Sequence, residues 1–262
     1  MIPVLLGLIA CRESMYPKVS APSKEPVAEY EALLAAVVTE DGFVDYDALE
    51  ADREPLDRYV AWLANGDPIR GKNTNDHHAT WLNAYNALVL YQVLERGRPA
   101  SVLDVDVLLP IDGAGFFYET QFNVEDDWLS LAEIESERIR WMELDHRDHA
   151  ALNCASRSCP PLRSELYRRE KLEAQLRDQM KRWVDDDRRG VRIEGKEAVF
   201  NPIFEWYARD FDFFSAGKDI CEIAANFAER KKATKLLDLS AHGCPHRFFT
   251  YDWSLNDASA AD

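Results

Sequence analysis

The glycine and histidine signatures that would fix a reaction class are missing. None of the 262 residues falls into a phosphate loop, a dinucleotide-binding glycine pattern, H-E-x-x-H or G-x-S-x-G. The sequence therefore gives no support to a nucleotide cradle, a two-histidine zinc helix or an ordinary α/β-hydrolase. No cysteine pair has C-x-x-C spacing, which argues against thioredoxin-type exchange. Basic charge is also scarce, with 31 Lys and Arg against 47 Asp and Glu and a net charge of -16. A field of that sign repels phosphate backbones, so nucleic acid is excluded as an expected partner. Internal repeats, low-complexity tracts and a clean interdomain boundary are absent too.

Long apolar runs are confined to the start, MIPVLLGLIA, and ten residues cannot span a bilayer. The run reads as the later half of a secretory h-region. Leu8-Ile9-Ala10-Cys11 resembles a bacterial lipobox, although no Lys or Arg precedes it. A lipid anchor through Cys11 and an exported, periplasmic or outer-membrane location are expected, with a cytoplasmic location as the alternative. Residues 1–24 are read as this signal-like segment and a polar tether, and 25–262 as one globular domain.

With 47% hydrophobic and 30% charged residues, the chain can bury a sizeable core. Apolar spacing predicts helices from Pro26 through VAEYEALLAAVV, over Leu56 to Leu63 and over Asp76 to Arg96. Val102 to Asp106 and Gly115 to Val124 read as short strands. Ser130-Leu131-Ala132-Glu133 has capping-box spacing and predicts a helix to about Arg140. A polar helix follows over 170–187, then a hairpin of Val191–Ile193 and Ala198–Phe200, a short helix from Ile203 and another over 220–237. Phe248 to Tyr251 reads as a last strand. The fold class expected is α+β: a mainly helical single domain with a small antiparallel sheet, with a papain-like arrangement as one candidate.

Chemistry-bearing residues are densest in Asp148 to Leu162, which holds His149, Cys154, Arg157, Cys159 and two prolines. A cysteine nucleophile needs a thiolate lowered by a base or a positive field. Cys159 is therefore the nucleophile candidate, with His149 as base. Asn83 and Asn86, three apart on one helix, are candidates to orient that histidine or to pin the loop backbone. Arg157, Glu135, Cys154 and Asp210 are candidate supporting or substrate-binding residues. The same cysteines read equally as buried residues or as a Cys154–Cys159 clasp. With Cys11 set aside, four cysteines allow three full pairings. His149, Cys154 and Cys159 match no common zinc spacing, and His242-Gly243-Cys244-Pro245-His246 reads first as a loop, so no metal and no cofactor is expected. Phe204, Trp206, Tyr207, Phe211, Phe213 and Phe214 form an aromatic cluster suited to the core or to stacking on a sugar or apolar ligand.

Several of these segments together resemble the domain-of-unknown-function 547 family. They are Trp81 to Leu88, Ser130 to Glu135, His149 to Leu162, Ile203 to Phe211 and Tyr251 to Asn256, in order over about 75–256. The resemblance carries Asn83, Asn86, Glu135, His149, Cys154, Arg157, Cys159 and Asp210 over by motif. It implies bacterial proteins, often exported, or a C-terminal module of plant proteins, and no established reaction, substrate or metal. Ala150 departs from the bulky aromatic usual after the motif histidine. The sharper functional expectation is a cysteine-centred hydrolase or acyltransferase acting on an amide or ester of the cell envelope. The alternative is a noncatalytic envelope binding or scaffold domain with a structural Cys-Pro loop, taking a peptide, glycan or protein ligand.

Overall fold

The computed structural model of the protein describes residues 12–65, 74–105, 113–214 and 217–260. The lipobox-like segment and Cys11 lie outside these residues. Within the stretch read as a polar tether, Glu13–Met15 forms strand β1. Helix α1 (Val27–Val37) begins directly after Pro26, where a missing N–H costs nothing, and buries Tyr30, Leu33, Leu34 and Val37. Gly42 turns the chain at φ +77, a conformation open to glycine, and an added Cβ there would lie 2.5 Å from Pro161 Cβ. Its carbonyl accepts the Leu162 N–H at 3.2 Å, which ties this turn to the Cys-Pro segment.

Three helices follow: α2 (Tyr46–Ala51), α3 (Glu54–Asn65) and α4 (Thr74–Glu95). Helix α2 was not expected, and Asp45 caps it by accepting the Ala48 N–H. The predicted strand at Val102 is a 3-10 turn, Val102–Asp104, because Ser101 and Asp104 close a capping box around it. Gly115–Glu119 is likewise π-helical, and only Thr120–Val124 (β2) is extended before β3 (Asp127–Ser130). The Ser130 capping box forms as read: Ser130 Oγ accepts the Glu133 N–H at 3.2 Å and Glu133 accepts the Ser130 N–H at 2.8 Å. It opens α5 (Leu131–Glu133), which runs on through π-helical Ile134–Arg140 into α6 (Trp141–Glu143).

Helix α7 (Asp148–Ala151) leads into the Cys-Pro loop, and α8 (Leu172–Asp185) follows it. The expected hairpin is β4 (Val191–Glu194) and β5 (Glu197–Phe200), antiparallel in register Val191 to Phe200. Helices α9 (Ile203–Trp206), α10 (Ala208–Phe214), α11 (Ile220–Ala225) and α12 (Arg230–Ala241) and strand β6 (His246–Phe248) complete the order. One helix was expected over 220–237, but residues 226–229 interrupt it, with the Glu229 N–H held by Asp185 Oδ1.

The architecture is mostly helical with two small, open, mixed sheets, ordered β1-β2-β3 and β4-β5-β6. One small antiparallel sheet was expected, but β1 pairs parallel to β2 and β6 parallel to β5. Nothing specific to a papain-like arrangement is present among the described residues. No helix among them is long and apolar enough to cross a membrane. Helices α1–α4 and the β2–β3 region surround one apolar cluster, and α8, the hairpin and α9–α12 surround another. Ala150 belongs to the second cluster and Ala151 to the first, so the Cys-Pro segment runs between them.

Candidate functional site

Four side-chain amides hold the loop from Ala151 to Leu162 through its backbone. Asn86 donates to Ala151 O at 2.9 Å and accepts the Asn153 N–H at 2.9 Å. Asn153 donates to Pro160 O at 2.8 Å and accepts the Ala155 N–H at 2.9 Å. Asn201 donates to Ser158 O at 2.8 Å, and Gln179 donates to Pro161 O. Amides suit this task because each carries both a donor and an acceptor, as a peptide group does. Ala155 sits at φ 58, a left-handed conformation costly for a residue with a Cβ. Its neighbours fix it there, with Asn256 N–H on its carbonyl at 2.9 Å. Asn83 does for Tyr167 what Asn86 does for the loop, bonding both its N–H and its carbonyl at 2.9 Å.

The loop's two cysteines are joined to each other, and a second disulfide joins Cys221 and Cys244. This corrects the expectation of a nucleophilic Cys159: a sulfur in a disulfide is no thiolate, and no acyl transfer can start from it. The cysteine-centred hydrolase or acyltransferase is therefore set aside; the lipoprotein and signal readings rest on residues 1–11, which lie outside the described residues. Asp219 converges with Cys221 and Cys244, but both sulfurs are spent on their bond.

His149, read as the base, turns its Nε2 to Asp210 Oδ2 at 2.8 Å. The same carboxylate oxygen accepts from Arg140 Nε at 2.7 Å. The Tyr207 ring packs against both, 4.0 Å from the His149 ring and 4.8 Å from the Arg140 guanidinium. Burial, together with the Glu135 carboxylate that the Tyr207 hydroxyl bonds, pushes the Tyr207 phenol well above its ordinary range. Glu135, His149 and Asp210 thus form one polar wall with Arg140 and Tyr207. Arg157 lies apart from it: the guanidinium donates to Ala260 O at 2.8 Å and sits 5.2 Å over the Phe43 ring. His78 is bonded to the buried Asp148 at 2.7 Å, and burial raises the Asp148 carboxyl above its usual range.

The bond from His149, followed by the Arg140 guanidinium, holds the Asp210 carboxyl far below the usual carboxylate range. Its ionisation therefore stabilises the fold above about pH 4, and that contribution is lost as pH falls toward the depressed folded value. We expect Asp210→Asn to lose about 1–2 kcal/mol at neutral pH, with the difference from the wild type shrinking below about pH 4. Urea unfolding from pH 3 to 7 measures this, and a pH-independent difference would reject it.

Glu135, His149 and Tyr207 face a cleft of about 200 Å³ where the two apolar clusters meet. Tyr85, Leu152 and Trp253 line it from one side and Ile203, Tyr207 and Tyr251 from the other. Cys154 and Cys159 form part of its wall, and Glu135 and His149 add polar groups. At the edge, Trp206 is 48% exposed and runs nearly parallel to Trp253, at 12° and 5.7 Å between ring centres. Tyr251 packs against both rings, 4.9 Å from Trp206 and 4.5 Å from Trp253. Of the residues read from sequence as catalytic or supporting, the structure brings Glu135, His149, Cys154 and Cys159 to the cleft. It places Asp210 behind His149, and Asn83, Asn86 and Arg157 elsewhere. Tyr251 and Trp253 were missed as site residues. Their signal was two aromatics two apart in a polar stretch, Tyr251-Asp252-Trp253-Ser254.

Residues 69–184 match the family described as protein of unknown function, DUF547. The match takes in α4, the Ser130-capped helix and the whole Cys-Pro loop, so the resemblance read from the motifs holds over that range. The cleft residues from Ile203 to Trp253, including Trp206, Tyr207 and Tyr251, lie beyond it. No curated protein matches the chain. No solved structure does either.

Proposed function

We propose that the protein is a noncatalytic binding domain whose aromatic cleft takes a carbohydrate ring, with the Cys-Pro loop as the structural clasp that shapes one wall. The observation that carries this reading is the pair Trp206 and Trp253, near-parallel stacked rings of which Trp206 is exposed to solvent at the edge of a pocket. The negative face of an indole attracts the polarised C–H face of a pyranose, and burial of both surfaces adds to the attraction. Glu135 and His149 supply the few polar groups that would orient hydroxyls in a largely apolar pocket. The net charge of -16 favours neutral or amine-bearing sugars over acidic ones. On this reading the two apolar clusters act as one globular unit, because the cleft is built from both.

Tryptophan fluorescence during titration with neutral oligosaccharides, such as oligomers of glucose and of N-acetylglucosamine, tests the proposal. We expect saturable binding that Trp206→Ala weakens about tenfold, the loss of one stacking surface. Equal affinity in the variant, or no saturable response to any of these sugars, would reject the carbohydrate reading.

A further inference from the structure

The two disulfides stand in different surroundings. Cys221 and Cys244 are buried at 0% and 4% exposure, in the core around α11 and α12. Cys154–Cys159 forms part of the cleft wall, and its two sulfurs are not equivalent. Cys159 is 1% exposed, whereas Cys154 is partly exposed. The backbone N–H of Cys154 points at Cys159 Sγ from 2.7 Å. Around Cys154 Sγ lie two hydroxyls, Ser156 Oγ at 3.0 Å and Tyr251 OH at 3.2 Å.

Thiol–disulfide exchange has two requirements: access to the sulfur attacked, and stabilisation of the thiolate that leaves. The cleft meets the first at Cys154. The N–H aimed at Cys159 meets the second, because a hydrogen bond to a charged acceptor is about twice as strong as one to a neutral acceptor. The spacing of five residues is not that of thioredoxin-type proteins, so the case rests on access and on the leaving group. At Cys221–Cys244 the first condition fails, because both residues are buried.

We propose that Cys154–Cys159 is an exchange-competent disulfide that reacts reversibly with thiol compounds entering the cleft. A ligand thiolate attacks Cys154 Sγ along the axis of the bond. A new sulfur–sulfur bond forms between ligand and Cys154 as the old one breaks, and its electron pair leaves on Cys159 as a thiolate. The reverse attack by Cys159 on Cys154 releases the ligand thiolate and restores the clasp. Attack on the ligand sulfur by a second ligand thiolate instead releases the ligand disulfide. It leaves Cys154 and Cys159 reduced, the protein gaining the two electrons and two protons that the two thiols lose. This reactivity is separate from carbohydrate binding and does not depend on it.

The test exposes the full-length folded protein to dithiothreitol, quenches it at intervals by alkylation and locates each modified cysteine by peptide mass. We expect Cys154–Cys159 to open roughly tenfold or more faster than Cys221–Cys244, and to reclose when cystamine is added. Cys159→Ser should take up one cysteamine from cystamine on Cys154 and release it to dithiothreitol. Cys154→Ser should leave Cys159 unmodified until the protein is unfolded. Equal opening of the two disulfides, opening only in denaturant, or failure of the native protein to reclose would each overturn the proposal. The rate comparison uses only the unaltered chain, so it decides the matter even if a variant does not fold.

Discussion

Replacing Gly190 by Ala is expected to cost about 4 kcal/mol or more and to lower Tm by about 10 °C or more. A Cβ at this position would lie 1.7 Å from Trp183 O and 2.6 Å from the Trp183 carbonyl carbon. Both are backbone atoms at the end of α8, and no rotamer change can clear them. Relief requires moving the Arg189–Gly190 segment away from the helix. That segment is bonded on every side: Gly190 N–H donates to Asp186 O at 2.8 Å, and Gly190 O accepts from Asn201 N at 2.9 Å. Arg189 O accepts from Trp183 Nε1 at 2.8 Å and from Asn201 Nδ2 at 2.6 Å. Asn201 also holds Ser158 O in the Cys-Pro loop, so the strain reaches the cleft wall. Thermal and urea unfolding of Gly190→Ala measure the effect. A loss under about 1 kcal/mol would mean that the close approach of Gly190 to Trp183 is absent in solution.

Asn86→Ala is the second large effect, about 2–5 kcal/mol of stability. The substitution removes one acceptor and one donor at once and leaves Ala151 O and Asn153 N without partners. The site is buried, with Asn86 itself 7% exposed and Asn153 3% exposed, so water cannot easily replace the amide. An unpaired buried peptide group costs about 1–3 kcal/mol, and two are created here. The loop should also loosen locally before the whole chain unfolds, because Asn86 is the side-chain amide that holds its start, while Asn153, Asn201 and Gln179 hold the carbonyls of Pro160, Ser158 and Pro161 further along. Amide hydrogen exchange at 151–159 should therefore quicken more than exchange in α1 or α3. Unchanged exchange in the loop, together with wild-type stability, would show that Asn86 does not carry the loop.

The parts of the fold legible in the sequence are those decided within a few residues. The Ser130 to Glu133 capping box, the hairpin of β4 and β5 and the apolar helix around Trp81 to Leu88 each depend on near neighbours. Strands β1 and β3 did not show because three or four residues carry no period of their own, and β1 exists only through pairing with β2, more than a hundred residues away. The segment Val102 to Asp104 has strand-like composition, but Ser101 and Asp104 bond across it and win. In the site, the motif placed His149, Cys154 and Cys159 together, yet could not say that the two sulfurs were bonded. Four cysteines allow several pairings, and distance in the fold selects among them. Trp206 was legible as an aromatic suited either to core or to ligand. Its exposure, which separates the two, depends on where Tyr251 and Trp253 come to rest.

Strand β1 sets how far anything joined ahead of it can reach. Its residues Glu13 to Met15 are in register with Thr120 to Phe122, and ion pairs fasten it on both sides, Arg12 to Glu133 at 2.7 Å and Glu13 to Arg96 at 2.6 Å. Lys18 reaches Glu95 at 2.8 Å a few residues further on. The polar composition of residues 12–24 suggests a flexible leash, but a paired strand has no slack, and reach grows only with the number of free residues. Any partner fused, cleaved or captured ahead of Arg12 therefore has its distance from the β1 edge of the sheet set by the residues before Arg12 alone.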